Sequence, residues 1–135
     1  MKEKNGSKPL VLSFRPSFRE AISRAERQIA AWTICADTPT DKPLVREICA
    51  IIAEVYMMHP ERPIRISGEW LDGYVVQEVF GQLGQMHALA VIEQFQAVTD
   101  EIRNKKAYLR TSLYNSVFSL NAHYTNKVNH DLRGD

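Results

Sequence analysis

The chain lacks the residues and runs that mark several large classes of protein. Only two of its 135 residues are cysteines, Cys35 and Cys49, and they lie fourteen positions apart. A disulfide framework or a zinc knuckle needs more numerous and more closely spaced ligands. No apolar run approaches the roughly 20 residues that span a bilayer, and the run Pro9–Leu12 is too short for a signal sequence. We therefore expect two small buried thiols, no membrane partner and a cytoplasmic protein.

Catalytic and phosphate-binding patterns are also missing. The histidines His59, His87, His123 and His130 are scattered, none belongs to an H-E-x-x-H pair, and no serine lies in G-x-S-x-G. The segment 81–84 has the G-x-x-G spacing of a nucleotide-clamping loop but no basic residue, so we interpret it as a break between two helices. We expect no catalytic residue, no metal site, no cofactor and no enzyme activity.

The net charge of +1 hides an uneven distribution along the chain. Residues 1–28 carry seven Lys/Arg against three Glu, a net charge of +4. Residues 29–100 carry four against ten, which gives −6, and residues 101–135 carry six against three, which gives +3. Two basic ends around an acidic middle can form a basic face if the fold brings them together, although charge runs are more often solvated helix faces.

Apolar spacing predicts an all-α domain, a compact bundle of about five helices with one small β-hairpin near residues 64–71. A flexible lead-in over 1–16 would precede a single domain over 17–131 and a tail over 132–135. Ser17 and Glu20 have capping-box spacing, and Ser67-Gly68 is a hairpin turn signal. The first predicted helix spans 17–35, and its apolar stripe includes Ile29 and Trp32. Three more are predicted along Leu44–Tyr56, along Tyr74–Leu83 and from Met86 to about Val98. Asn104 is predicted to cap the next helix, and Asn121 a last short one.

The C-terminal region combines basic and aromatic residues. Lys and Arg neutralise phosphates and release counterions, and exposed aromatic side chains stack on unpaired bases. Cations in the first turn of a helix oppose its dipole at a cost of roughly 0.3–1 kcal/mol, which favours a role for them beyond stability. The alternative is an ordinary core helix with a solvated charged face. The candidate contacts for DNA or a partner are Arg103, Lys105, Lys106, Arg110, Tyr124, Asn126, Lys127, Asn129 and His130.

Several stretches resemble one bacterial family. I-R-N-x-x-A-Y-L-x-x-x-L-Y-N (102–115) and H-Y-T-N-K-V-N-H-D (123–131) are similar to the C-terminal domain of replication initiator protein A from Gram-positive plasmids and integrative conjugative elements. I-R-I-S-G-E-W-L (64–71), V-V-x-x-x-F-x-x-L (75–83) and His87 follow in the order of that family. The resemblance spans roughly residues 25–131.

The resemblance implies a DnaD-like helical domain, itself of unknown function, that recruits replication proteins such as a helicase loader or a primase and contacts DNA. It implies no catalytic residues. The chain lacks the winged helix that binds the origin in such initiators, and Gln77-Glu78 stands where the family often has a basic residue. We therefore expect a non-enzymatic replication-associated module of a mobile genetic element. A protein–protein adaptor or oligomerisation domain without DNA binding is the alternative.

Overall fold

The computed structural model describes the backbone of residues 15–132 and the side chains as far as Leu120. Residues 1–14 of the predicted lead-in and residues 133–135 of the predicted tail lie outside this range. The described part contains six α-helices and one antiparallel hairpin, which confirms the all-α prediction. In chain order the elements are α1 (Phe18–Gln28), α2 (Ala31–Asp37), a 3₁₀ turn (Pro39–Asp41), α3 (Lys42–Met57), β1 (Ile64–Ile66), β2 (Glu69–Leu71), α4 (Gly73–Phe80), α5 (Gln85–Ala97) and α6 (Lys105–Leu132).

The single helix predicted over 17–35 is divided into α1 and α2. Its start is as predicted, since Ser17 Oγ accepts the Glu20 N–H at 3.2 Å and Glu20 Oε1 accepts the Ser17 N–H at 2.9 Å. The division comes at Ala30, whose backbone is left-handed with φ of 52°.

The turn at Ala30 also changes which side chains face the core. A continuous helix would place Trp32 on the same stripe as Ala25 and Ile29, which lie seven and three positions before it. After the turn Ile29 and Ile34 are buried, whereas Trp32 is 77% exposed. The prediction that Trp32 belongs to the apolar face of one long helix is therefore wrong.

Helix α3 lies at the centre of the fold. It contacts α1, α2, α4, α5 and α6, and a helix surrounded in this way must be apolar around most of its circumference. Its buried side chains include Ile48, Ile52 and Val55. Cys49 is buried here as predicted, and burial raises the pKa of its thiol to about 12. Cys35 on α2 is only half-buried, and both thiols are free.

The hairpin is short and packs on the core through its first strand. Ser67 and Gly68 both have positive φ, 55° and 82°. This backbone conformation forms a two-residue turn whose twist matches that of the flanking strands. Ile64 and Ile66 of β1 are buried. Directly after β2, Asp72 Oδ1 caps α4 by accepting the N–H groups of residues 74 and 75. The hairpin is thereby fixed between the core and the start of α4.

Helix α6 begins as predicted and ends differently. Asn104 Oδ1 accepts the Ala107 N–H at 3.0 Å, which confirms the predicted cap. The helix then continues to Leu132 through Asn121, so the prediction of a separate last helix capped by Asn121 is wrong. Asn costs well under 1 kcal/mol inside a helix, and no Gly or Pro follows Asn104 before the helix ends. The buried stripe of α6 is Leu109, Leu113 and Val117.

Candidate functional site

Two cations at the start of α6 join it to α3 through separate ion pairs. Lys105 Nζ lies 2.8 Å from Glu47 Oε1, and both side chains remain nearly half exposed. One residue on, Lys106 Nζ lies 2.8 Å from Glu54 Oε2. The acidic middle of the sequence and its basic C-terminal region therefore meet across α3 and α6. These pairs compensate cations that the dipole of α6 disfavours in its first turn.

Glu54 also binds Arg110. Arg110 Nη2 lies 2.7 Å from Glu54 Oε1, and the Arg110 side chain is only 16% exposed. Partial burial alone would raise the pKa of Glu54, but the hydrogen bonds from Lys106 and Arg110 outweigh burial and lower that pKa below its ordinary value. The carboxylate stays ionised and holds both cations in place.

The hairpin supplies a third cation, Arg65, to the cavity that Lys106 and Arg110 also line. This cavity of about 300 Å³ lies between the hairpin turn and the start of α6. The backbone N–H of Ser67 in the turn donates to Thr111 Oγ1 on α6 at 3.1 Å, which ties the two elements together. We call this cavity the hairpin pocket. Its lining residues are Arg65, Ser67, Gly68, Asn104, Lys106, Ala107, Arg110 and Thr111.

The hairpin pocket carries net positive charge. Arg65, Lys106 and Arg110 contribute three cations, against the single carboxylate of Glu54 that two of them share. Arg65 makes no ion pair with any residue in the part of the chain that the structure describes. Arg110 Nε is buried without a hydrogen-bond partner among the described residues. Guanidinium and ammonium groups arranged in this way suit an anionic ligand with several oxygens, such as a phosphate.

An exposed tryptophan adjoins the hairpin pocket. Trp70 of β2 is directly opposite Arg65 in the hairpin register. The Cζ atom of Arg65 lies over the indole ring, 5.3 Å from its centroid. The Trp70 side chain is 63% exposed.

The predicted contact residues divide into three groups. Lys106 and Arg110 line the hairpin pocket, while Lys105 lies beside it on α6, paired with Glu47. Arg103 is exposed in the loop before α6 and does not line the pocket. The remaining five predicted contacts lie on α6, but their side chains are outside the described residues: Tyr124, Asn126, Lys127, Asn129 and His130.

Sequence reasoning missed Arg65, Thr111 and Glu54. The signal for Arg65 was present, because a two-residue turn at Ser67-Gly68 fixes Arg65 opposite Trp70. No short sequence pattern predicts that this hairpin packs on α6, or that Glu54 of α3 faces the same helix.

A second cavity lies between the first three helices. It has a volume of about 500 Å³ and is bordered by the exposed Trp32. Cys35 and Cys49 both line it, together with charged side chains of both signs. We call it the α2 cavity. Its lining residues are Glu26, Ala31, Trp32, Cys35, Ala36, Pro39, Lys42, Val45, Arg46 and Cys49.

The predicted break at Gly81–Gly84 is a helix junction in the structure. Helix α4 ends at Phe80 and α5 begins at Gln85. The Gly84 N–H donates to His87 Nδ1 at 3.0 Å, which caps α5. Burial lowers the pKa of His87, so its imidazole is neutral and able to accept this hydrogen bond.

Among the side chains that the structure describes, no group of three or more His, Cys, Asp or Glu is placed to hold a metal ion. Across the described residues, no helix combines the length and the apolar character needed to cross a membrane.

Comparison with known proteins adds a family. A family model described as a family of unknown function, DUF6017, matches residues 2–135, nearly the whole chain. The chain belongs to the DUF6017 family. No curated protein and no solved structure matches it. The hairpin pocket is a candidate functional site of this DUF6017 chain.

Proposed function

We propose that this DUF6017 chain is a non-enzymatic, nucleic-acid-binding module in the replication machinery of a mobile genetic element. It holds phosphates in the hairpin pocket. The observation that carries the proposal is the convergence of three cations from two distant segments, Arg65 from the hairpin and Lys106 and Arg110 from α6.

The charges around the pocket support a phosphate ligand. Glu54 occupies Lys106 and Arg110 from the α3 side, and it compensates only part of their charge. Arg65 adds a cation that has no carboxylate partner in the described part of the chain. A nucleic-acid phosphate that enters the pocket would satisfy this excess and release condensed counterions.

The pocket is built from stretches that carry the resemblance drawn from the sequence. The pocket is formed between I-R-I-S-G-E-W-L (64–71) and I-R-N-x-x-A-Y-L-x-x-x-L-Y-N (102–115), two of the stretches that resemble the C-terminal domain of replication initiator protein A. By that resemblance we propose that its partners include a helicase loader or a primase, and that it acts in the cytoplasm where such initiators meet DNA.

The test is fluorescence anisotropy with labelled DNA at low salt. Arg65→Glu should weaken binding by about tenfold or more, since it replaces a phosphate contact with a repulsive charge. Reversing Lys106 or Arg110 would be less clean, because each would then repel Glu54. Arg46→Glu is the matched control, because it makes the same change in net charge at the α2 cavity. Equal effects of the two variants would refute the pocket as the binding site.

A protein–protein adaptor is the second candidate, and the exposure of Trp32 favours it. A large apolar side chain that is 77% exposed beside a cavity resembles the anchor residues of protein interfaces. Under this reading the host helicase loader or primase binds the α2 cavity. Trp32→Ala should then abolish co-elution with the purified partner and leave DNA binding intact. Unchanged co-elution would count against the adaptor function.

A further inference from the structure

We infer that the hairpin pocket takes an unpaired strand of nucleic acid, with a phosphate on its cations and an adjacent base stacked on Trp70. This inference rests on the proposed function and names the form of nucleic acid that the site prefers.

The register of the hairpin places Trp70 beside the pocket. Residues directly opposite each other in an antiparallel pair point to the same face, so Trp70 and Arg65 share one face of the hairpin. Ile64 and Ile66 occupy the other face and are buried. The cation and the indole can therefore meet the phosphate and the base of a nucleotide from the same face of the hairpin.

Trp70 is exposed in a way that packing does not explain. Its side chain is 63% exposed, although an indole gains most when it is buried. The guanidinium of Arg65 lies over the ring, which orients the indole without covering most of it. A flat aromatic surface next to a phosphate-binding cation is the arrangement that proteins use to bind single strands.

A duplex would not use this arrangement. The faces of its bases are stacked on one another, so an indole on a hairpin cannot reach them without unstacking a base pair. An unpaired base can leave the stack freely. Single-stranded DNA should therefore bind more tightly than duplex of the same length, by about fivefold or more for one stacked base.

The rival explanation is that Trp70 only stabilises the hairpin through Arg65. The composition of the chain allows a direct test, because Trp32 and Trp70 are its two tryptophans. Trp32→Phe leaves Trp70 as the single fluorescent indole. Trp70→Thr leaves Trp32 alone and keeps a side chain that favours a strand.

The experiment titrates both variants of the full chain with a thymidine oligonucleotide of about 10 nucleotides, and with a duplex of equal length. Fluorescence is read together with anisotropy. In Trp32→Phe we expect saturable quenching of Trp70 by the single strand, at the same concentration as the rise in anisotropy. In Trp70→Thr we expect no quenching of Trp32, about fivefold or greater loss of single-strand affinity and unchanged duplex affinity.

The failures of the two proposals are distinguishable. If DNA binds through Arg65 but Trp70 fluorescence is unchanged at saturation, or the duplex binds as tightly, the single-strand inference is overturned and the proposed function stands. If neither DNA form binds at low salt, both are overturned. Should Trp70→Thr fail to fold, the quenching measured in Trp32→Phe still decides the matter.

Discussion

The hairpin pocket and the α2 cavity each adjoin an exposed tryptophan, yet their surroundings differ. Trp70 lies beside Arg65, which lines the hairpin pocket together with Lys106 and Arg110. Trp32 lies beside two thiols and charges of both signs, Glu26 with Lys42 and Arg46. The neighbours of an exposed aromatic side chain decide which kind of partner it suits. Cations that converge beside it favour a polyanion, whereas mixed charges beside an apolar cavity favour a protein surface.

The largest effect is expected when the hairpin pocket loses its most buried cation. Arg110→Ala removes a side chain that is 16% exposed and leaves Glu54 with Lys106 alone. The free energy of unfolding should fall by about 1–3 kcal/mol, as for other losses of a charged hydrogen-bond partner. DNA affinity should fall by about tenfold as well.

Urea denaturation and anisotropy measure these two quantities. Arg46→Ala at the α2 cavity is the control and should change stability by less than about 0.5 kcal/mol, as for an exposed residue. Equal destabilisation by Arg110→Ala and Arg46→Ala would show that Arg110 is no more important for stability than an exposed arginine.

A smaller effect of opposite sign is expected from Glu54→Gln. The amide retains acceptor capacity for Lys106 or Arg110 but removes the negative charge that compensates them. DNA binding at low salt should strengthen several-fold, while the free energy of unfolding falls by about 1 kcal/mol. Weaker binding in this variant would mean that the carboxylate is needed to position the cations, and the account of the pocket charge would be wrong.

The same carboxylate gives the hairpin pocket a pH dependence. The pKa of Glu54 is lowered in the folded protein, so its contribution to stability is complete above its ordinary pKa. That contribution is lost as the pH falls from the ordinary pKa through the lowered one, because the unfolded state then binds a proton more readily. Denaturation followed as a function of pH should show a steeper acid loss in the wild type than in Glu54→Gln. Parallel profiles would contradict the ion pairs.

The smallest effect is expected at Lys105. This residue pairs with Glu47 at the surface and does not line the hairpin pocket. Lys105→Ala should lower the unfolding free energy by less than about 0.5 kcal/mol, as for other exposed pairs, and should change DNA affinity little. A loss as large as that in Arg110→Ala would extend the binding surface beyond the pocket and along α6.

Several local signals predicted the fold correctly, although the cap signal at Asn121 did not. The capping residues Ser17 and Asn104 and the turn at Ser67-Gly68 act over three or four positions, and all three predictions are confirmed. The left-handed turn at Ala30 was not predictable, because alanine is a strong helix former and no local signal marks a break there. The residues on either side of the turn, Ile29 and Ile34, are both buried in the core. Trp32 was misplaced as a consequence.

The candidate site was predictable only in part, for a related reason. Lys106 and Arg110 were identified from the charge and aromatic pattern of a single helix. Their partner Glu54 and the third cation Arg65 lie more than 40 positions away in the sequence, and packing of α3 and the hairpin on α6 brings them together. The sequence of each helix shows how many charged residues it carries. It does not show which of those charges are paired with a residue of opposite charge on another helix.

The most direct test of the account is the salt dependence of the dissociation constant for single-stranded DNA, measured for the wild type and for Arg65→Ala. A single phosphate neutralised in the hairpin pocket predicts a slope of log affinity against log salt of about −0.7 or steeper, and loss of Arg65 should make the slope shallower. A slope near zero in the wild type, or the same slope in both proteins, would contradict the claim that the hairpin pocket binds phosphates.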